Sequence, residues 1–199
     1  MTLISLLLSL NLLSVTPQAV LDGRAELYSR QYSEALSFFE AALKENPKNL
    51  EAVLGKIDAL CYTKKNKEAF SFADAVYAPG TPEYKMIQIY KDLWDRKNKD
   101  AKTKLLALIS EKPQFHIAHY HLGWVYFREK DLDQAIASLK KCIALEPDYA
   151  PALYLLGRCY SKKNDVNQVM KYYELYLNVV PPKGARYQHV KDYISKMKG

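Results

Sequence analysis

The chain has 199 residues and is poor in the residues that build catalytic, metal-binding or disulfide-bonded domains. Its 3 cysteines, Cys61, Cys142 and Cys159, form no C-x-x-C pair, so a zinc ribbon or thioredoxin-like site has no support. An odd count does not suit a disulfide framework either. Cys142 and Cys159 fit buried small-residue positions on successive helices, with a bridge between them as the other reading. Only 7 glycines are present, with no phosphate-binding loop, no G-x-S-x-G and no H-E-x-x-H. There is no low-complexity tract, which argues against a long disordered linker. No apolar run reaches the roughly 20 residues of a membrane span. Paired acids such as Asp131 and Asp133 lie in a turn and read as helix N-terminal residues. His116, His119 and His121 are close in sequence, but only the first two share a helix face and no supporting acid or thiol stands near. These absences predict no enzyme, no metal and no cofactor.

What the chain does have is a period. Pro47, Pro79, Pro113, Pro147 and Pro181 are separated by 32, 34, 34 and 34 residues. Ala35, Ala69, Ala101, Ala135 and Val169 run in the same register. The small residue stands 12 before its proline, except in the second unit, where the step from Ala69 to Pro79 is 10. That shorter step predicts one helix about two residues short. A period near 34 marks an array of helix pairs. Each helix of twelve to fourteen residues is marginal alone, and one pair cannot bury its apolar face, so the units must stack.

Residues 116 to 149 carry the pattern most fully, with Leu122, Gly123, Tyr126, Ala135, Leu139, Cys142 and Pro147. The fifth unit repeats it with Leu156, Gly157, Tyr160, Val169, Tyr173 and Pro181; the first supplies Gly23, Ala35, Phe39, Ala42 and Pro47. The second and third are degenerate, and Ile89 stands where glycine is usual. This pattern resembles the tetratricopeptide repeat over roughly residues 16 to 183. The resemblance implies an all-α, right-handed superhelix of helix–turn–helix units at 16–49, 50–81, 82–115, 116–149 and 150–183. Residues 184–199 then form a capping helix, with Tyr187, Val190 and Ile194 as its apolar stripe.

The resemblance also implies a concave groove lined by the first helix of each pair. Carried over slot by slot, the partner-binding residues are Tyr90, Tyr120, His121, Trp124, Phe127, Tyr154 and Arg158, with Met86, Leu54, Asp58 and Arg24 continuing the surface. Aromatic residues and arginine are the types enriched at binding hot spots. The family's carboxylate clamp has its matching slots at Val20, Arg24, Gly55, Ile117 and His121. Only Arg24 is basic there, so an apolar or helical peptide is the expected ligand.

The net charge is +7, from 29 basic and 22 acidic residues. The basic residues gather at turns between paired helices, near Lys64, Arg96, Lys130 and Lys162, where a helix C-terminus favours cations. A basic edge of this kind would also meet an anionic membrane surface or an acidic protein within a larger complex. No nucleic-acid module is present, and nucleic acid is not expected as a partner. Residues 3–15, LISLLLSLNLLSV, have the length of an export signal's apolar region, although no Lys or Arg precedes them and Pro17-Gln18-Ala19 is a poor cleavage site. The reading is a protein–protein interaction scaffold, exported or associated with the cell envelope, periplasmic or secreted. The alternatives are a cytoplasmic regulatory or enzyme-associated subunit, with residues 1–15 docked as a helix on a partner, or an interfacial anchor.

Overall fold

The structure is a computed structural model and describes residues 16–198. The apolar run 3–15, with its export, docking and anchor readings, lies outside the described residues.

Eleven α-helices and no strand are present among the described residues. They pair as α1 (Gln18–Tyr28) with α2 (Tyr32–Glu45), α3 (Leu50–Tyr62) with α4 (Asn66–Val76), and α5 (Pro82–Trp94) with α6 (Asn98–Glu111). Then come α7 (His116–Glu129) with α8 (Leu132–Leu145), α9 (Ala150–Lys162) with α10 (Val166–Val179), and a final helix α11 (Ala185–Lys198). The second helix of a pair buries one narrow stripe: Ala35, Phe39 and Ala42 on α2, Ala101, Leu105 and Leu108 on α6, Ala135, Leu139 and Cys142 on α8. The first helices α3, α7 and α9 are instead buried around most of their circumference, because each is clamped between its own partner and the second helix of the preceding pair. Every position of the small-residue register, Ala35, Ala69, Ala101, Ala135 and Val169, is fully buried. In the second unit Ala73 stands where the others place Phe39, Leu105, Leu139 and Tyr173. Helix α4 has 11 residues against the 14 of α2, α6, α8 and α10; it is three residues short, one more than the step from Ala69 to Pro79 implied.

Helix starts are written in the sequence. Asn49, Thr81, Asp131 and Asp165 each accept a hydrogen bond from the backbone N–H three residues on, and Pro82 occupies the first turn of α5. The turns within the pairs share one device. Arg30, Lys64, Arg96, Lys130 and Asn164 all adopt the left-handed conformation, with φ between 58° and 66°. The next residue donates its N–H back across six residues in each: Gln31 to Glu26, Lys65 to Leu60, Lys97 to Asp92, Asp131 to Tyr126 and Asp165 to Tyr160. This closes the helix ends as Schellman motifs without a glycine.

The two ends of the solenoid meet. Helix α11 buries Val190 and Ile194 and packs on α10, as a cap does, but it also packs on α1. Lys183 lies 2.8 Å from Asp22 and 3.6 Å from Glu26. Gly184 has φ +85°, and a Cβ there would approach the Ala25 carbonyl oxygen to 3.1 Å, so this turn needs glycine both for its backbone and for its closeness to α1.

Candidate functional site

Closure encloses the inner face as a cavity of about 410 Å3. Its walls come from α1, α3, α5 and α7, with Tyr149 and Pro151 at the start of α9 and Arg186 from α11. The slot filled by Arg24, Asp58, Tyr90 and Trp124 supplies one side chain from each of four successive first helices. One turn further along, Tyr28, Tyr62, Trp94 and Arg128 do the same. Tyr62 is 53% exposed and, with the exposed Arg96 and Arg128, marks the mouth.

The floor is polar and carries hydrogen bonds and an ion pair. The Tyr90 hydroxyl donates to Asp58 Oδ1 at 2.6 Å, and Trp94 Nε1–H donates to the same oxygen at 3.2 Å. Burial pushes the Asp58 carboxyl up to about 6, against those two hydrogen bonds and the positive Arg24. Arg24 Nη2 stands 2.8 Å from Glu51 Oε2 as an ion pair and donates to the Tyr149 hydroxyl at 3.5 Å. Burial works against the Arg24 charge, but Glu51, Tyr149 and Tyr28 together hold the guanidinium above its ordinary range. Burial likewise opposes ionisation of Glu51, yet Arg24 and then His116 hold its carboxyl below the usual value. His121 is buried between Tyr90 and Tyr120, with ring centroids 5.2 and 4.9 Å away. Burial, reinforced by Arg24, pushes its imidazole down to about 3, so it is neutral at pH 7.

Seven residues were expected at the site from sequence. Tyr90, Tyr120, His121 and Trp124 line the cavity together. Phe127, Tyr154 and Arg158 gather beside it: the Arg158 guanidinium lies 4.8 Å from the Phe127 ring centre and 6.0 Å from that of Tyr154. Of the flanking residues, Arg24, Leu54 and Asp58 line the cavity, whereas Met86 is fully buried in the core and presents nothing to it. Sequence reasoning missed Tyr28, Tyr62, Trp94, Arg96, Arg128, Tyr149 and Arg186. The signal for four of them was present, since Tyr28, Tyr62, Trp94 and Arg128 keep the repeat's step. Arg186 carried none, because it belongs to the cap rather than to a unit.

The remaining histidines and the cysteines lie outside the cavity. His119 Nε2 sits 2.9 Å from the Pro113 carbonyl oxygen, and His116 Nε2 lies 3.9 Å from Glu51. Among the described residues no cluster of three His, Cys, Asp or Glu could hold a metal ion. The three cysteines are free and buried, and burial pushes Cys61 and Cys159 up to about 12, so both stay thiols. No helix among the described residues is long and apolar enough to cross a membrane.

No curated protein matches this chain. Among solved structures it is similar to TTC0263, described as a thermophilic TPR protein of Thermus thermophilus, with 21% identity, TM-score 0.56 and coverage of 89% of this chain and 96% of that one. It is similar to pilF of Pseudomonas aeruginosa, with 16% identity, TM-score 0.56 and coverage of 90% and 82%. It is also similar to YrrB, described as a TPR protein with an unusual peptide-binding site, with 16% identity, TM-score 0.51 and coverage of 96% and 98%. At these identities the likeness shows the fold alone. The tetratricopeptide repeat profile itself matches residues 26–86 and 126–192, and a second profile of the same description matches residues 95–150. With five helix pairs in the repeat's register and the profile matched over more than half its length, the chain belongs to the tetratricopeptide repeat family.

Proposed function

We propose that this chain is a non-catalytic protein-interaction scaffold that takes a short peptide segment of its partner into the axial cavity. The observation that carries the proposal is the wall itself. Seven aromatic side chains, Tyr28, Tyr62, Tyr90, Trp94, Tyr120, Trp124 and Tyr149, converge on one cavity that opens beside exposed residues. Its volume falls in the ordinary range of ligand sites, about 300–1,000 Å3. Aromatic residues at the centre of a contact supply large area at small entropic cost and dominate binding energy. Catalysis is not part of the proposal: the carboxylates of Asp58 and Glu51 are both held by neighbours, His121 is neutral and hemmed in by rings, and the thiols are buried.

An envelope location belongs to the same proposal and rests on the apolar run 3–15. N-terminal sequencing of the native protein tests it. The binding role is tested by selecting peptides from a random phage-displayed library against the folded chain. Selected peptides should bind the wild type and lose roughly thirtyfold in affinity on Trp124→Ala, the loss of a hot spot of about 2 kcal/mol. Peptides indifferent to Trp124→Ala, Tyr120→Ala and Trp94→Ala alike would remove the cavity from the account.

A further inference from the structure

Resting on that reading, we infer that the peptide taken by the cavity is acidic, and that Arg96, Arg128 and Arg186 receive its carboxylates. Four arginines line the cavity, against the single carboxylate of Asp58. Arg24 is neutralised by Glu51 at 2.8 Å. The other three have no carboxylate within ion-pair distance among the described residues, although the chain forms many ion pairs elsewhere. Asp58 does not balance them, since its Oδ1 already accepts from Tyr90 and Trp94 on the floor.

The arginines are also held in the way a carboxylate site requires. The Arg128 guanidinium carbon lies 4.8 Å from the Trp124 ring centre. That of Arg186 lies 3.0 Å from Tyr28 and 4.1 Å from Tyr154. An aromatic ring engages the face of a guanidinium and leaves its in-plane N–H donors free, which is the geometry of a bidentate carboxylate contact. Stacking also fixes side chains that would otherwise lose rotamer freedom on binding. Arg96 is exposed at the mouth, in the left-handed turn after α5. These three residues lie outside the slots of the family's carboxylate clamp, where only Arg24 is basic. The ligand is therefore a segment combining acidic residues for the rim with aromatic or apolar ones for the wall. A strand of nucleic acid is the less fitting anion, because the sequence carries no nucleic-acid module.

Sequencing the peptides selected on the wild-type chain tests the inference. Fluorescence polarisation then compares each labelled peptide with an amide twin in which every Glu is Gln and every Asp is Asn. A labelled single-stranded RNA of random sequence serves as the competing probe. The inference expects acidic residues to be enriched and the amide twins to bind at least tenfold more weakly. It expects affinity to fall as salt rises, because rim charges are screened. Arg96→Gln and Arg128→Gln, both at exposed positions, should each weaken acidic peptides severalfold while leaving the melting temperature unchanged. Neutral or basic peptides that need Trp124 but ignore both arginine variants would overturn the inference and leave the peptide-binding reading standing. Acidic peptides that bind both variants as well as wild type would overturn it too. RNA that binds through Trp124 and displaces the peptides would assign the arginines to phosphates instead. Failure to recover any cavity-dependent peptide would overturn the inference together with the reading beneath it.

Discussion

Ala185 and Ser29 are 156 residues apart and share a hydrogen bond: the Ala185 N–H donates to Ser29 Oγ at 3.0 Å. The Ser29 hydroxyl in turn donates to the Ala25 carbonyl oxygen at 2.9 Å. This relay, with Lys183 on Asp22 and Arg186 on Tyr28, ties α11 to α1. The cavity depends on it, since Arg186 is one of its walls.

Ser29→Ala should therefore cost about 0.5–1.5 kcal/mol, the net worth of one such hydrogen bond. The loss should be local. Hydrogen exchange should quicken in α11 and α1 while α7 and α8 keep their protection. Uniform quickening across all helices would mean that the closure is not a separable unit.

Helix α7 approaches α8 closely at Gly123. A Cβ there would lie 2.7 Å from Leu139 Cγ and 3.2 Å from the Ala135 carbonyl oxygen. The backbone oxygen cannot swing aside. Gly123→Leu should cost about 1–3 kcal/mol or more in urea unfolding, the usual range for overpacking. A neutral result would mean that the two helices are farther apart than this.

Lys64 bears the steric cost of a left-handed backbone, φ 64°, with no compensating ion pair of its own among the described residues. Lys64→Gly should stabilise the chain by up to about 1 kcal/mol, despite the greater freedom glycine gives the unfolded state. Destabilisation would show that the lysine side chain holds the turn.

Two groups at the cavity floor give opposite pH dependences. Asp58 has a folded value of about 6, above the roughly 3.9 of an unfolded aspartate. The native state then takes up the proton first, so Asp58 adds stability as pH falls from about 6 toward 4 and loses it as pH rises through 6. His121 sits at about 3, below the roughly 6.5 of an unfolded histidine. The unfolded state takes that proton first, so stability present above pH 6.5 is lost as pH falls toward 3. Asp58→Asn should steepen the acid loss and His121→Phe should flatten it, each by a few kcal/mol in urea titrations between about pH 7 and 4. Profiles parallel to the wild type would mean that neither group is held as described.

The periodic part of the fold was legible because it is local. Ala35, Ala69, Ala101, Ala135 and Val169 sit at the helix contacts their register implied, and all are fully buried. The site was half legible. Tyr90 and Trp124 face one cavity because they share a slot of the repeat, and Tyr120 and His121 reach it from the turn of α7 before Trp124. Met86 shared the spacing of a lining residue but points into the core, since a first helix is buried on several sides at once. Phe127, Tyr154 and Arg158 gather beside the cavity rather than in it, and Arg186 lies between Tyr154 and the cavity wall at Tyr28. No repeat pattern encodes that contact, which follows from where the end of the superhelix meets its beginning.

The most direct test uses the chain's 2 tryptophans, Trp94 and Trp124, which both line the cavity. Their indole N–H resonances can be followed in a 15N-labelled sample while a selected peptide is titrated in. The account predicts that both resonances shift together, with the dissociation constant measured by polarisation, and that Trp94 responds as its bond to Asp58 readjusts. A peptide that binds with the same constant while both indole signals stay unmoved would contradict it.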